Sequence, residues 1–386
     1  MDAKITGWGH TPFGALKDKT FEQLILDAAR EALDHAGLEL RDIDGIWLGH
    51  FNNGLVADAF ASSLVLGLSE ERLFIPATRV ENACASGSAA VYAARDAIRS
   101  GRVRRALVIG AEKMTGTDTR GVTAALAGAS YQGEESGVSF PQIFARFAEA
   151  YFAAYGDGSE TLARIAAKNH AAALNNPLAH LQKDLGFAAC NTVSERNPMI
   201  AAPLRMTDCS LISDGAAALV MVAEDLVADF PRAVGFRAAV QMNDVMPLSR
   251  RDLTELTAAR HCFAAAFEAA GVTLADIDLA EVHDCFTIAE LLICEAMGLA
   301  DKGHGAALIE AGETARGGRL PVNLSGGLKA KGHPVGATGV SMHVMAARQV
   351  SGLAGAMQHP SAELAAVFNM GGSGVANYCS ILEAQK

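Results

Sequence analysis

The sequence has few aromatic residues, no excess of positive charge, no paired cysteine motif and no long apolar run. Phe, Trp and Tyr make up 6% of its 386 residues. That scarcity suits an Ala/Gly-rich α/β enzyme better than an all-β module. There are 32 Lys and Arg against 43 Asp and Glu, a formal net charge of -11. An acidic surface argues against nucleic acid as a main partner, while leaving room for a local basic patch toward a phosphate-bearing group. The seven cysteines are scattered, odd in number and never spaced Cys-x-x-Cys. This excludes a disulfide framework, gives no metal site, and points to a reducing compartment. No apolar run approaches the ~18 residues of a membrane span. Met1-Asp-Ala-Lys-Ile-Thr-Gly7 does not read as a signal peptide, and Glu383-Ala-Gln-Lys386 is not a peroxisomal address. The expectation is a soluble cytoplasmic protein.

What is present is glycine, 38 residues of it, within a composition that is 50% hydrophobic. The length suffices for two large domains or two fused halves. Residues 3–8 read as a strand. Residues 21–36 read as an amphipathic helix with Leu24, Ile25, Ala28, Ala29 and Leu33 on one stripe, ended by Gly37. Strands are expected at 43–48 and 105–111. Residues 115–205 break the pattern, with a Gly/Ser/Thr/Glu-rich stretch followed by helices near 144–154 and 162–175. An interruption this long is usually a lid, a set of binding loops or an oligomer surface. The core resumes as a turn and buried strand over 213–222.

The second half repeats the first. Ala36, Gly37 and Asp42-Ile-Asp44 match Ala270, Gly271 and Asp276-Ile-Asp278, and Cys84-Ala-Ser-Gly87 matches Gly336-Ala-Thr-Gly339. Two α/β halves in strand–helix–strand order imply a duplicated fold, with parallel strands between helix layers.

Four stretches carry chemistry. In Val80-Glu-Asn-Ala-Cys-Ala-Ser-Gly87, Cys84 precedes a helical segment over 88–99. Small neighbours leave room for a ligand, and the helix dipole and free N–H groups of the first turn favour thiolate. The alternative is a small buried hydrophobe, as most free cysteines are. In Glu281-Val-His-Asp-Cys-Phe286, extended chain puts His283 and Cys285 on one side at a strand end, able to pass protons; a core histidine beside a buried cysteine is the alternative. In Asn323-Leu-Ser-Gly-Gly-Leu-Lys-Ala-Lys-Gly-His-Pro-Val-Gly336, the glycines permit close backbone approach, and Pro334 sets His333 at a helix N-terminus, where the dipole keeps the ring neutral. A glycine-rich connection with an incidental histidine is the alternative. In Asn369-Met-Gly-Gly-Ser-Gly374, a tight turn between apolar runs offers free N–H groups to an oxyanion, although hairpins use glycines too.

Together these stretches resemble the thiolase family along essentially the whole chain. Asn82-Ala-Cys-Ala-Ser-Gly87 is similar to the family's nucleophile motif and Gly332-His-Pro-Val-Gly336 to its Gly-His-Pro motif. Two departures are informative. Where many thiolases carry Asn-Glu-Ala-Phe, this chain has His283-Asp-Cys-Phe286. Where they carry Cys-x-Gly-Gly-Gly, it has Asn369-Met-Gly-Gly-Ser. Both resemble the sterol-carrier-protein type and related bacterial and archaeal thiolases, in which the second cysteine belongs to the His-Asp-Cys-Phe motif.

The resemblance implies a thiolase-like, duplicated five-layered α-β-α-β-α fold. Residues 1–114 plus 206–228 would form one half, 229–386 the other, and 115–205 an inserted loop domain. It implies an acyl-CoA acyltransferase working through a Cys84 acyl-enzyme, with a coenzyme A thioester as substrate and no tightly bound cofactor. Catalytic roles fall to Cys84, His283, Cys285 and His333. The N–H groups of Cys84 and Gly371 would hold one oxyanion, His283 and His333 the other. Ser325, Gly326 and Asn369 are candidate substrate contacts. A homodimer or homotetramer is expected. The alternatives are a non-catalytic acyl-CoA-binding or scaffold subunit working with a small OB-fold partner, a ketoacyl synthase relative, or a retro-aldolase-like relative.

Overall fold

In the computed structural model, which describes residues 2–385, two related halves share one nine-stranded sheet. The first half runs β1 (Ala3–His10), α1 (Phe21–Ala36), β2 (Gly45–Gly49), β3 (Ala77–Val80), α2 (Ser86–Arg99) and β4 (Arg105–Glu112). An insertion follows with α3 (Thr119–Ala127), α4 (Gln132–Glu135), α5 (Phe140–Tyr155), α6 (Ser159–Ala173), α7 (Gly186–Asn191) and a small hairpin of β5 (Met199–Ala201) and β6 (Leu204–Arg205). β7 (Gly215–Ala223) then completes the half. The second half comprises β8 (Val234–Asn243), α8 (Thr257–Ala270), β9 (Leu279–Val282), α9 (Thr287–Ala296), α10 (Gly305–Glu310), α11 (Val335–Val350), β10 (Leu364–Gly371) and β11 (Ala376–Ala384).

The strand order β3-β2-β4-β7-β1-β8-β11-β10-β9 is palindromic in topology about the β1–β8 pair. Beyond β9, Val322 bridges Ala280 in parallel, where the first half has β3 beside β2. The sheet is mixed, which corrects the expectation of parallel strands throughout. β2, β3 and β4 are parallel, as are β9 and β10; β7, β1, β8 and β11 pair antiparallel. The reason is the connections. Helical crossovers give parallel pairs, whereas β10 turns straight into β11 and can only run antiparallel to it. β4 and β7 form the equivalent pair, and the insertion occupies the place of that turn.

Alternation along the strands builds the layers. Leu107 and Ile109 of β4, with Ala218, Val220 and Val222 of β7, pack with Leu24, Ile25 and Ala28 of α1 on the outer face. Ala106 and Val108, with Leu219 and Met221, face the opposite core, shared with α2 and α11. α8 covers the outer face of β8 and β11. α1 begins in a Thr20–Gln23 capping box and ends at Gly37, whose φ is +69°.

The central helices α2 and α11 cross at small residues. A Cβ on Gly339 would lie 2.2 Å from the Ser88 nitrogen, and one on Gly87 would lie 2.8 Å from the Gly336 carbonyl oxygen. The internal repeat Cys84-Ala-Ser-Gly87/Gly336-Ala-Thr-Gly339 therefore marks two pseudo-symmetric helix starts that pack on each other. No helix among the described residues is long and apolar enough to cross a membrane.

Candidate active site

The loop between β3 and α2 places Cys84. Ala83 has a φ of +50°, an uncommon conformation for a side-chain-bearing residue. The loop holds it there: the Ser86 hydroxyl donates to the Ala83 carbonyl at 2.6 Å and accepts from the Asn82 N–H at 2.8 Å. The Asn82 amide donates to the Tyr378 hydroxyl at 2.7 Å, tying the loop to β11. Burial pushes the Cys84 thiol up to about 12; the N–H groups of Gly372 and Cys84 itself oppose this, while Glu112 and Glu81 add to it. The expectation that the helix dipole favours thiolate is thus corrected. Desolvation outweighs it, and the resting sulfur is a thiol that requires a base.

His333 precedes α11. Glu112, at the end of β4, accepts from the Gly336 N–H at 3.0 Å and from the Phe51 N–H at 3.0 Å, so one buried carboxylate fixes the start of α11 to the first half. His333 Nδ1 lies 2.7 Å from the Thr338 hydroxyl, which donates its own hydrogen to the Pro334 carbonyl at 3.0 Å. The hydroxyl can then only accept from Nδ1–H, which leaves the lone pair on Nε2. Burial, with Lys331 adding to it, lowers the imidazolium pKa to about 3. The ring is neutral, as the sequence predicts, but burial is the larger cause.

β9 ends at Val282, so His283 and Cys285 do not share an extended segment as expected. The Asp284 N–H donates to the Val282 carbonyl at 3.1 Å, making a three-residue turn centred on His283. Asp284 anchors that turn: its carboxylate accepts from the Leu328 N–H at 2.6 Å and the Asn169 amide at 2.8 Å. A Cβ on Gly327 would fall 2.2 Å from the Asp284 carboxylate, so only glycine fits there. Asn369 lies inside β10, before the turn of residues 372–375 rather than in it. Its amide nitrogen faces the Cys84 carbonyl at 3.4 Å and His283 Nδ1 at 2.8 Å. A donor facing Nδ1 puts the ring hydrogen on Nε2, a buried atom with no protein partner. Burial, and secondarily His333, holds His283 well below the usual histidine range. Burial pushes the Cys285 thiol well up, with Cys84 and Asp284 adding to it.

Cys84, His283 and His333 bring one sulfur and two ring nitrogens within 4.8 Å of one another. Donors this close could also hold a soft cation. The two imidazoles meet edge to face, centroids 5.0 Å apart. Cys84, Cys285, His333 and Gly372 line one cavity of about 440 Å³. Gly372 supplies the N–H facing the sulfur. Gly371, the residue expected there, lies one position earlier in β10, where its missing side chain lets the strand approach the Asn82 carbonyl. Ser325 and Gly326 are outside this lining; the Ser325 hydroxyl donates to Glu281 at 2.5 Å. Thr338, Asp284, Glu112 and Gly372 escaped sequence reasoning. Thr338 sits in the repeated Gly-Ala-Thr-Gly match, Asp284 in the His-Asp-Cys-Phe motif and Gly372 in the glycine-rich turn, so each had a signal; Glu112 had none.

A buried thiol beside two neutral imidazoles, on a duplicated α/β fold, defines a cysteine-dependent acyltransferase class. Residues 2–225 match the family model for the thiolase N-terminal domain, and residues 239–384 match the thiolase C-terminal domain-like model. The chain belongs to the thiolase family. It is 39% identical to an acetyl-CoA acetyltransferase of Methanothermobacter thermautotrophicus, over 97% of both chains. It is 31% identical to human sterol carrier protein 2, over 95% of this chain and 69% of that one. Among solved structures, the Ltp2-ChsH2(DUF35) aldolase superposes with a TM-score of 0.83 at 26% identity, over 100% of this chain and 98% of that one.

Proposed function

We propose that the protein transfers acyl groups between coenzyme A thioesters through a Cys84 acyl-enzyme, forming or cleaving 3-ketoacyl-CoA. The observation that carries this reading is the gathering of the Cys84 sulfur and the His283 and His333 ring nitrogens within 4.8 Å. His333 Nε2 takes the Cys84 proton as sulfur attacks the thioester carbonyl. The oxyanion that forms faces the N–H groups of Cys84 and Gly372. Its collapse expels coenzyme A and leaves the acyl group on sulfur.

Cys285 gives its proton to the departing coenzyme A sulfur while His333 keeps the one taken from Cys84; in the second half-reaction Cys285, now a thiolate, removes a proton from the α-carbon of an acyl-CoA. The His283 Nε2–H, and His333 when it carries a proton on Nε2, hold the enolate oxygen. The carbanion then attacks the Cys84 thioester, making the carbon–carbon bond and freeing the sulfur. Lipid metabolism is the corresponding setting. The cytoplasm is the proposed location, supported by seven free thiols. Coenzyme A is substrate only, and the open β3 edge of the sheet supports a homodimer or a pair of dimers.

Intact-protein mass measurement tests the reading. Exposure to acyl-CoA should add one acyl mass, and Cys84→Ala should abolish it; an adduct that survives the substitution refutes the assignment. Cys285→Ala should still acylate but lose ~10²–10⁴-fold in condensation and thiolysis. Condensation near the wild-type rate would make Cys285 structural. A second reading is favoured by the 26% identical aldolase: carbon–carbon cleavage without an acyl-enzyme, with or without a small OB-fold partner. The absence of any adduct would select it.

A further inference from the structure

We propose that the acyl group carried on Cys84 is hydrophobic and longer than acetyl, seated against a wall that the insertion builds over the sulfur. This rests on the acyl-enzyme reading above and names its substrate class. The cavity beside Cys84 measures about 440 Å³, within the ~300–1,000 Å³ typical of sites that enclose a whole small-molecule ligand. An acetyl group needs little more than the space of two waters, roughly 60 Å³ at ~30 Å³ each, and would leave most of the wall without contact.

The chemistry of the lining points the same way. It contains no Lys, Arg, Asp or Glu, so neither a coenzyme phosphate nor a charged acyl terminus is met there. Val122 and Leu126 of α3, Phe140 at the start of α5, Ile200 of β5, Met206 and Ile212 make it mostly apolar, with Thr119, Thr123 and Ser210 its hydroxyl-bearing members. The pantetheine arm has two amides that need polar partners, which the six apolar residues do not offer. An apolar chain needs none. The reacting groups come from the core loops, whereas Val122, Leu126, Phe140 and Ile200 come from the insertion and Met206 and Ile212 from the segment that follows it, so chain preference and chemistry are set largely by different parts of the molecule.

The wall also continues outward. Ile200 and Met206 line the cavity yet are 48% and 45% exposed, and the neighbouring Met199 is 43% exposed. An acyl chain that outgrows the cavity would cover these side chains at its lip. Each methylene moved from water to such a surface is worth about fourfold in transition-state binding.

The test is single-turnover acylation of the full-length protein by acetyl-, butyryl- and octanoyl-CoA, read as adduct formation on Cys84. The expected result is at least about tenfold higher kcat/KM for octanoyl than for acetyl. Val122→Phe and Leu126→Trp, each filling the cavity from α3, should lower octanoyl transfer at least about tenfold while acetyl transfer stays within about threefold. Retained acetyl transfer also certifies that each variant folds. A wild-type preference for acetyl overturns this proposal alone, as does equal slowing at every chain length in both variants. Absence of an adduct with all three thioesters overturns the acyl-enzyme reading and this proposal with it.

Discussion

At the scale of single residues, the informative feature is that both partners of the proton transfer are uncharged at rest. Burial holds the Cys84 thiol up at about 12 and the His333 imidazolium down at about 3. Between these values the stable pair is thiol and imidazole, not thiolate and imidazolium. The sign then fixes a pH dependence. The thiolate fraction grows with pH until the thiol pKa is reached, and histidine titration adds nothing above about pH 4. Alkylation of Cys84 by iodoacetamide should rise about tenfold per pH unit from 6 to 9. Mass spectrometry of the alkylated peptide provides the check, and a plateau near neutrality would indicate a preformed ion pair instead. Burial is also why this was not legible in the sequence: the helix start at Cys84 was visible, the depth of the site was not.

At the scale of elements, the chain pattern specified most of the framework. The apolar stripe of α1, its stop at Gly37 and the buried run of β4 follow from periodicity and one glycine. The strand–loop–helix unit at Cys84 followed too, with α2 starting at Ser86 rather than 88. What periodicity could not supply was the crossing of α2 and α11. A side chain at Gly339 meets the Ser88 backbone, which cannot move aside as a flexible side-chain end could. Gly339→Ala should therefore force the helices apart, at a cost on the order of 1–3 kcal/mol. Because Cys84 and His333 precede these two helices, acylation should fall along with stability. Chemical denaturation together with adduct formation measures both. An Ala variant of unchanged stability and rate would mean the crossing tolerates a methyl group.

At the scale of the whole molecule, the sheet has an end that invites a partner. β3 is terminal and pairs on one side only, with β2. Phe60 and Phe74 nearby are 84% and 92% exposed. An open edge flanked by exposed aromatics is either an aggregation site or an interface. We expect the β3 edges of two copies to meet. Light scattering should then give at least twice the 40.2 kDa chain mass, and Phe74→Asp should weaken the assembly. A monomer at micromolar concentration would overturn this.

The sequence by itself determined the duplication, the two-sided burial of the central strands and the candidacy of Cys84, His283, Cys285 and His333, because periodicity and motif spacing are local properties. Only the tertiary structure decided their protonation states, the use of Gly372 rather than Gly371, and the turn that separates His283 from Cys285. The same holds for the Thr338 and Asn369 bonds that choose each histidine's tautomer, and for the apolar wall over the sulfur. The physical reason is one of range. Desolvation and hydrogen-bond pairing depend on what lies within a few ångströms, and around Cys84 those neighbours come from β4, β10, the insertion and the start of α11, more than two hundred residues apart along the chain.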